Sequence, residues 1–491
     1  MAKTAAGVIL SSATLDRSSE LPLFRQLFVE LRQAILEGHL PAEARLPSSR
    51  TLATELVVSR NTVIQAFDLL VDEGFVESRV GDGSYVSAEV GSRGVDSGGA
   101  SVRTPSRKRP LSARGERQTR TVIPPRASSG GPLALGVPAL DQFPLALWRR
   151  LAGRRLGRAD TELMGYGDPA GLDRLRVAIA RHLTTARGVQ CAPVQVLIFA
   201  SAQEALTIAA RVLTDPGDSA WLEEPAYMGV RNAVVAAGAT PVPVPVDGEG
   251  LRVRDGREKV NDAKVVYLTP SHQFPLGMTM SLRRRLELID WAAESGAWIV
   301  EDDYDSEFRL EGRPICALQG LLPEQVIYVG TFSKALFPAL RLAYAIVPEE
   351  LRTVFLAARC LGNPHPPTVT QAIVADFIET GHFATHLRRM TSLYAERKTA
   401  VVSELEAVDS ALRLLPSNTG LHVAATLKGG EDRALSRQAA AEGIALPALS
   451  RYYLGKRPRQ GVLIGYGSAP PPELRPAIRR IVELSQASSS A

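Results

Sequence analysis

The sequence predicts two different folds in one chain: an N-terminal winged helix-turn-helix unit and a larger α/β unit with a mainly parallel sheet. Three observations support this. The first 90 residues hold three amphipathic helical patterns and then a hairpin signal. A stretch rich in Ser, Gly, Pro and Arg follows, and the remainder alternates apolar β-branched runs with helical patterns. A chain of 491 residues gives each unit room for its own core.

The composition excludes several classes of protein. Hydrophobic residues make up 45% and charged residues 22%, as in ordinary globular proteins. No apolar run reaches the 18 residues of a membrane span, and the apolar stretch at residues 5–10 is too short for a signal peptide. Cys191, Cys316 and Cys360 are too far apart in sequence to give a metal-ligand spacing. We therefore expect a protein of the reducing cytoplasm, without a metal site and without membrane association.

The net charge of +5 is concentrated in one segment. Residues 91–126 hold nine basic and two acidic residues, which is +7, so the rest of the chain is near −2. This segment also lacks periodic apolar positions. We therefore expect a flexible basic linker over residues 88–130, between a head at 14–87 and a body at 131–488. It is either a plain tether or an arm whose arginines also contact DNA phosphates.

The sequence of the head predicts three helices and a hairpin. The first helix has Phe24, Phe28, Leu31 and Ile35 at helical spacing and a stop at Gly38. Ser48 and Ser59 are expected N-caps of two further helices. The apolar stripe of the third helix consists of Val63, Ala66, Phe67, Leu70 and Val71. Two short strands then flank the turn Gly81-Asp82-Gly83, which completes a winged helix-turn-helix.

The positions of the arginines in the head predict DNA binding. Arg60, Asn61 and Thr62 open the second of the paired helices, where a recognition helix reaches base edges. Arg50 begins the preceding helix and Arg79 lies on the wing, where both suit backbone phosphates. Seven Arg against eleven Asp or Glu over residues 16–86 give a net charge of −4. The alternative is therefore a winged helix used for protein contacts.

The head resembles the GntR-type DNA-binding domain. The matching stretches, in order, are LPSSRTLATEL, SRNTVIQAFDLL and VGDGSYV. This resemblance implies that the head binds double-stranded DNA as a dimer, with Arg50, Arg60 and Thr62 as contacts.

Polar groups follow several apolar runs of the body, at the strand ends where ligands bind in parallel α/β sheets. Ser201, Ala202 and Gln203 open a helix, whose free N–H groups form an anion site. A possible stacking ring, Tyr227, follows another run. The remaining strand-end groups are the acids Asp302 and Asp303 with Tyr304, and Lys334 with Thr331, Ser333 and Arg341.

Taken singly, each of these groups has an ordinary structural explanation, but together they suit pyridoxal phosphate. A lysine amine forms an aldimine with the cofactor aldehyde. A buried carboxylate keeps the pyridine nitrogen protonated, and a phenol donates to the ring oxygen. Hydroxyl groups and an arginine neutralise the phosphate. The sequence thus predicts pyridoxal 5'-phosphate as cofactor.

The body resembles the fold-type I aminotransferases over residues 131–488, and the whole chain resembles the MocR/GabR-type transcriptional regulators. The motifs are MGYGDPAGLDRLRVAIARHL, LEEPAY, TPSHQFPLGMTMS, EDDYDSEFR and GTFSKALFPALRLAY. The resemblance implies Lys334 as the aldimine and catalytic lysine, Asp302 on the pyridine nitrogen, Tyr304 on the ring oxygen and Tyr227 stacked on the ring. It also implies a homodimer and a phosphate site formed by Ala202, Gln203, Thr331, Ser333, Arg341 and the partner's Tyr166.

The chain departs from the aminotransferase pattern at three places. Ser201 replaces a frequent glycine, and the Asn-Pro-x-Gly motif is Phe274-Pro275-Leu276-Gly277, so His272 is a candidate for the missing asparagine contact. The stretch GVLIGYG lacks the arginine that clamps a substrate carboxylate. Arg451 is the candidate effector-binding substitute, and Arg459 is a second one.

These observations favour a DNA-binding regulator that senses an amine, an amino acid or pyridoxal phosphate itself through Lys334. An effector amine would displace the lysine from the aldehyde and shift the protein between two states. The alternative is a working aminotransferase with an appended head, in which Lys334 moves protons. A third reading is a regulator whose body has lost the cofactor, against which Lys334 and Asp302 argue.

Overall fold

A computed structural model describes residues 15–79, 81–91, 111–119, 131–157, 161–312, 315–407, 411–456 and 458–489. The chain divides into two compact units, Met1–Pro110 and Leu111–Ala491. Of the predicted basic linker, the stretches 92–110 and 120–130 lie outside the described residues. None of the helices in the described part of the chain is both long and apolar enough to cross a membrane.

The first unit has the three helices and the hairpin that the sequence predicts. Its elements are α1 (Leu23–Leu36), α2 (Ser49–Glu55), α3 (Arg60–Asp72), β1 (Val76–Arg79), β2 (Gly83–Val86) and the short α4 (Ala88–Gly91). The hairpin strands are antiparallel. Both predicted caps are present, because Ser48 Oγ accepts from Thr51 N at 3.2 Å and Ser59 Oγ from Thr62 N at 3.1 Å.

One predicted core position of the head is wrong. Val63, Ala66 and Leu70 are buried, but Val71 is 37% exposed. Leu70 already completes the stripe that faces α1, and each helical residue turns 100° from the one before it, so Val71 faces solvent. In α1, Leu27 is fully buried and lies in the core beside the predicted Phe28.

The second unit is an α/β fold with an eight-stranded sheet. Its first helix, α5 (Ala113–Thr119), falls within the predicted linker and has no buried side chain. The sheet consists of β3 (Val196–Phe199), β4 (Ser219–Glu224), β5 (Thr240–Asp247), β6 (Gly250–Leu251), β7 (Val265–Leu268), β8 (Trp298–Asp303), β9 (Val326–Thr331) and β10 (Ala343–Ile346).

The order of the strands is β3-β10-β9-β8-β7-β4-β5-β6. Four consecutive pairs, from β9 through β8, β7 and β4 to β5, are parallel, while β10 is antiparallel to both β3 and β9. The mainly parallel sheet is therefore confirmed. The sequence TPVPVPVD of β5 places three prolines in a strand. They are tolerated because β5 pairs along its length only with β4, and only its last two residues pair with β6.

Helices cover both faces of this sheet. They are α6 (Leu145–Leu156), α7 (Thr161–Met164), α8 (Asp173–Arg187), α9 (Ala202–Leu213), α10 (Met228–Ala237), α11 (Val253–Lys259), α12 (Leu282–Ser295), α13 (Phe332–Ala335), α14 (Arg352–Cys360) and α15 (Thr368–Glu379). Alternate residues of β3 belong to different cores: Leu197 packs with α9, α10 and α14, and Ile198 packs with α8 and α15. The strands are therefore buried on both faces, as their apolar runs predict.

A smaller antiparallel sheet follows the main one. It contains β11 (Leu412–Leu414), β12 (His422–Leu427) and β13 (Gly461–Gly465), in that order. The accompanying helices are α16 (His382–Glu406), α17 (Asp432–Ala441) and α18 (Pro471–Ser489). Their apolar side chains form one core with those of β12 and β13.

Candidate cofactor site and nucleic-acid interface

The strand register brings the predicted site residues of the body to one edge of the main sheet. Asp302 of β8 lies opposite Val329 of β9, so Tyr304 and Lys334 follow strands that end side by side. Ala343 of β10 lies opposite both Phe199 and Thr331. Because β10 runs antiparallel to these strands, its beginning meets the ends of β3 and β9. Residues 201–203 and Arg341, two residues before Ala343, therefore lie at the same edge.

Lys334 lies on the short helix α13, directly after β9. Its Nζ donates to the carbonyl oxygen of Gly136 at 2.6 Å. Burial lowers the pKa of Lys334, while Asp305 and Asp302 act in the opposite direction. Gly136 has φ of 67°, and a Cβ at that position would lie 2.7 Å from Nζ. The positive φ therefore favours a glycine there, and the lysine has a lowered pKa, as suits a nucleophilic amine.

Asp302 and Asp303 are adjacent in sequence but differ in their partners. Asp303 Oδ2 accepts from Arg187 Nη2 at 2.8 Å and from the Tyr328 hydroxyl at 2.6 Å. Asp302 is 8% exposed, and its Oδ1 has no hydrogen-bond partner among the described residues. Burial, together with Asp303 and Asp305, raises the pKa of Asp302 to about 7. A cationic N–H group on a ligand would satisfy this oxygen, whereas Asp303 already has its partners.

Four aromatic side chains pack together at this edge of the sheet. Tyr227 is the N-cap residue of α10, just beyond the end of β4. The ring of Phe274 lies edge-on to Tyr227 at 5.9 Å, to Tyr304 at 5.7 Å and to Tyr452 at 5.3 Å between centroids. Phe274 stands where aminotransferases carry asparagine, so an apolar ring replaces an amide. Burial raises the pKa of Tyr227 and of Tyr304, so both phenols remain protonated at neutral pH.

The backbone N–H groups at the start of α9 lie where the sequence predicts an anion site. Ser201 is the N-cap residue, and its Oγ accepts from Glu204 N at 3.2 Å. The N–H groups of Ala202 and Gln203 have no acceptor within the described ranges. On α13, Thr331 Oγ1 accepts from Ser333 N at 3.1 Å. Both helix starts therefore meet at the edge that also holds Lys334.

Three predicted site residues, Arg341, Tyr166 and Arg451, lie outside the buried group that contains Asp302 and Lys334. Arg341 is exposed and has φ of 52°, a left-handed conformation that is uncommon for a residue other than glycine. Tyr166 is 96% exposed. Arg451 lies on a 3-10 helix, Leu449–Tyr452, and the carbonyl of Tyr452 accepts from Ala226 N at 3.2 Å. This bond brings the segment of Arg451 beside Tyr227, while Arg459 is exposed.

Three residues of the site, Gly136, Asp305 and Ser417, were not predicted from the sequence. Gly136 contacts a lysine 198 positions away. Asp305 and Ser417 both bond His272, whose Nδ1 also lies 2.9 Å from the Tyr304 hydroxyl. Of these residues, Asp305 was the easiest to predict, because it follows Tyr304 directly in the motif EDDYDSEFR. Ser417 lies in a segment without a recognisable pattern.

In the head, the predicted contact residues are at the surface. Arg50, Arg60 and Asn61 are exposed, and Arg60 Nε donates to Ser49 Oγ at 3.4 Å. Thr62 is partly buried, because its hydroxyl lies 2.8 Å from that of the N-cap serine.

Two arginines, the predicted Arg79 and the unpredicted Arg45, lie against one tyrosine ring of the wing. Arg79 pairs with Glu43 at 2.9 Å and lies over the ring of Tyr85 at 4.4 Å. Arg45 lies over the same ring at 5.9 Å. Two guanidinium groups thus share one partly buried aromatic side chain of the wing.

Comparison with known proteins places both units. Residues 23–86 match the family described as bacterial regulatory proteins, gntR family, and residues 133–481 match aminotransferase class I and II. The chain is 41% identical to the probable rhizopine catabolism regulatory protein MocR of Rhizobium meliloti, over 95% of this chain and 94% of that protein. It is 30% identical to the pyridoxine biosynthesis transcriptional regulator PdxR of Corynebacterium glutamicum, over 90% and 91% of the two chains.

A solved structure gives the same result for the body. The multiple substrate aminotransferase of Thermococcus profundus superposes with a TM-score of 0.68 at 26% identity, covering 78% of this chain and 96% of that one. The fold and site therefore define a pyridoxal phosphate-dependent regulator of transcription, with a DNA-binding head and an aminotransferase-like body. The chain belongs to the MocR-type regulators.

The residues present fit the cofactor that this fold implies. Pyridoxal phosphate supplies an aldehyde for an amine and an electron-withdrawing ring. The Lys334 amine suits the aldehyde, and the unpaired Oδ1 of Asp302 suits a protonated pyridine nitrogen. The start of α9 suits a phosphate.

Proposed function

We propose that this protein binds an operator through its head and pyridoxal phosphate through its body, and that a small amine, an amino acid or the cofactor itself controls DNA binding. The main support is one pair of residues: a lysine of lowered pKa coupled to a buried, unpaired carboxylate, in a chain with a GntR-type head. A structural role alone would not favour leaving Oδ1 of Asp302 without a hydrogen-bond partner among the described residues, since an unsatisfied buried carboxylate oxygen is costly.

In this proposal, the Lys334 amine would hold the cofactor by condensing with its aldehyde, with loss of water, and Asp302 would accept a hydrogen bond from the protonated pyridine nitrogen. Tyr304 donates its hydroxyl proton to the ring oxygen, and Tyr227 stacks on the ring. The phosphate is held by the backbone of Ala202 and Gln203, by Thr331 and Ser333, and by Arg341. The exposure of Arg341 supports this role, because its guanidinium has no ion-pair partner within the described residues.

The effector acts by competing with Lys334 for the aldehyde. The segment at residues 461–467 has no arginine to clamp a carboxylate, so Arg451 is the proposed effector contact. The bond between Tyr452 and Ala226 supports this, since it joins the segment of Arg451 to that of Tyr227. One relative is named for rhizopine catabolism and another for pyridoxine biosynthesis, and the second name supports the cofactor itself as one candidate signal.

The protein acts as a homodimer in the cytoplasm. Tyr166 is 96% exposed, and Met164, two positions before it, is 83% exposed. Large exposed side chains of this kind often mark an interaction surface. A second copy covering this surface would allow Tyr166 to reach the phosphate of the partner's site. In this proposal the head spans 14–87, the linker 88–130 and the body 131–488, and both family matches fall within these limits.

The head reads DNA with Arg60, Asn61 and Thr62, while Arg50 and Arg79 contact phosphates. The exposure of Arg50, Arg60 and Asn61 at the starts of α2 and α3 supports these assignments. On the wing, Glu43 neutralises Arg79 in the absence of DNA, and a phosphate would compete with it.

A working aminotransferase is the second candidate. It is favoured by the lowered pKa of Lys334, because a neutral amine is suited to proton transfer. Sustained conversion of an amino donor and a keto acid, without salt-sensitive DNA binding, would support this candidate against the regulator.

The experiment is reduction of the cofactor-loaded chain with borohydride, followed by peptide mass spectrometry. We expect the label on Lys334, and its loss in Lys334→Ala. The matched control is Lys264→Ala, whose lysine is exposed and outside the site. A label that persists on another lysine in Lys334→Ala would contradict the assignment.

A further inference from the structure

His272 lies at the centre of a buried polar group beside the candidate cofactor site. Its side chain is 1% exposed. Nδ1 lies 2.8 Å from Asp305 Oδ1 and 2.9 Å from the Tyr304 hydroxyl oxygen. On the other side of the ring, Nε2 lies 3.2 Å from Ser417 Oγ. Both ring nitrogens therefore have oxygen neighbours at hydrogen-bond distance.

The partners of these oxygens determine where the protons are. Ser417 Oγ donates its only proton to the carbonyl of Thr419 at 3.1 Å. It can therefore only accept from His272, and Nε2 must carry a proton. Nδ1 faces a carboxylate oxygen, and a lone pair would repel it, so Nδ1 also carries a proton. Both ring nitrogens of His272 then act as donors, and Nδ1–H donates to the Asp305 carboxylate.

We propose that His272 is a positioning residue that holds Tyr304 in the orientation in which its hydroxyl proton is directed to the cofactor. The Nδ1–H of His272 is shared between Asp305 and the oxygen of Tyr304. Because that oxygen accepts, its own proton is not used there and remains available to the ring oxygen of the cofactor. This inference rests on the proposed function, and it explains how Tyr304 acts although Phe274 replaces the asparagine of aminotransferases.

Two glycines allow this group to pack so closely. A Cβ on Gly420 would lie 2.3 Å from both Asp305 Oδ2 and His272 Cε1. A Cβ on Gly277 would lie 2.8 Å from the Cβ of Ser417. Both glycines also have positive φ, of 86° and 91°. The backbone on two sides of the imidazole is therefore adapted to hold it in one place.

The neighbouring His422 carries one ring proton instead of two. Its Nε2 lies 3.1 Å from the carbonyl oxygen of Pro275, which can only accept. Burial, and then His272, lower the pKa of His422 to about 4, so this ring is neutral. The other titratable groups that act on His422 or Tyr304 are the acids Asp305, Asp302, Asp303 and Glu223, and the amine of Lys334. Lys398 of α16 donates to the carbonyl of Ser417 at 2.5 Å.

His272, Asp305 and His422 also have the residue types of a metal site, since their ligand atoms lie within 4.8 Å of one another. The hydrogen bonds oppose this reading. Coordination through Nδ1 of His272 would require removal of the proton that it donates to Asp305, and Nε2 of His422 donates its proton to a carbonyl. The proton assignment and a bound metal are therefore mutually exclusive.

The test uses two substitutions that each keep one half of the imidazole. His272→Asn retains an N–H donor at the position of Nδ1, and His272→Gln retains one near Nε2. The full chain is loaded with pyridoxal phosphate, and the pH midpoint of its visible absorbance is measured. A hydrogen bond from Tyr304 stabilises the deprotonated chromophore and lowers this midpoint. We expect His272→Gln to raise the midpoint by about one to two pH units, and His272→Asn to restore most of the wild-type value.

A second pair of variants shows whether His272 acts through Tyr304. On a Tyr304→Phe background, His272→Gln should add no further shift, because the hydroxyl that it orients is already absent. Equal, additive shifts on both backgrounds would overturn the inference, as would a wild-type midpoint in His272→Gln. Stoichiometric zinc in the purified protein by elemental analysis would also overturn it. A wild-type chain without any visible band that depends on Lys334 would instead overturn the proposed function.

Discussion

The head and the body place their functional groups in opposite environments. In the head, Arg50, Arg60 and Asn61 are exposed at helix starts. In the body, Asp302 is 8% exposed at the end of a strand that is buried on both faces. A surface arginine retains its hydration until DNA arrives, whereas a buried carboxylate without a partner destabilises the fold until a ligand arrives. The exposed DNA-contact residues of the head can therefore be replaced with little effect on folding, whereas a substitution among the buried acids of the body also changes stability.

Within the body, the same contrast separates Asp303 from Asp302. Asp303 is paired with Arg187, and Asp302 Oδ1 is unpaired. One of the two acids stabilises the fold and the other is kept for a ligand. The following substitutions test that distinction, from the largest expected effect to the smallest.

Replacing Arg187 with Met should have the largest effect. It leaves the Asp303 carboxylate buried without its cation, and breaking such a pair costs about 3–5 kcal/mol of unfolding free energy. Denaturant unfolding of the cofactor-free chain measures this loss. Arg181→Met, at an exposed position of the same helix, is the control and should change the value by less than about 0.5 kcal/mol. Equal effects of the two substitutions would mean that the pair does not support the fold.

Asp302→Asn should separate folding from cofactor binding. Removing an unpaired buried charge should leave the cofactor-free chain as stable or more stable. Its dissociation constant for pyridoxal phosphate should rise roughly 10- to 100-fold, since a charge-assisted hydrogen bond is lost. Calorimetric titration and thermal unfolding of the same sample measure both. A large loss of stability in the cofactor-free chain would place Asp302 with Asp303 as a structural acid.

The pH dependence of stability should differ between these two chains. The pKa of Asp302 in the fold is about 7, above its ordinary value of 3.8, so between pH 4 and pH 7 the folded chain holds a proton that the unfolded chain releases. Wild-type stability therefore falls as pH rises through this window, by up to about 1.4 kcal/mol per pH unit relative to Asp302→Asn. Unfolding of both cofactor-free chains from pH 4 to pH 8 gives the difference. A difference independent of pH would contradict the raised pKa.

The corresponding change in the head should act on DNA binding alone. Arg60→Ala should weaken binding to a selected operator by about 1–3 kcal/mol and relax the preference at one base position. Stability should be nearly unchanged, because Arg60 is exposed. Fluorescence anisotropy with a labelled duplex, chosen by selection from a random pool, measures the loss. Arg25→Ala, exposed on α1, is the control, and an equal loss there would point to general charge rather than to base contacts.

The contrast between the units also explains how much the sequence could predict. Ser48 and Ser59 were identifiable as caps because a cap and its helix are neighbours in sequence. The strand-end position of Lys334 and Asp302 was identifiable because parallel strands end at a common edge. Three contacts around the site were not identifiable: Gly136 with Lys334, Arg187 with Asp303, and Ser417 with His272. Each joins segments that are distant in sequence and share no local pattern. Val71 was misplaced because periodicity gives a stripe but not its width.

The central claim is that chemistry at Lys334 controls the affinity of the head for DNA. The most direct measurement is the dissociation constant of the pyridoxal phosphate-loaded chain for its selected operator, with and without an amine that shifts the cofactor spectrum. We predict that the amine changes this constant at least fivefold in the wild-type chain, and that the change disappears in Lys334→Ala while the constant without amine remains measurable. The same amine response in Lys334→Ala would contradict the account.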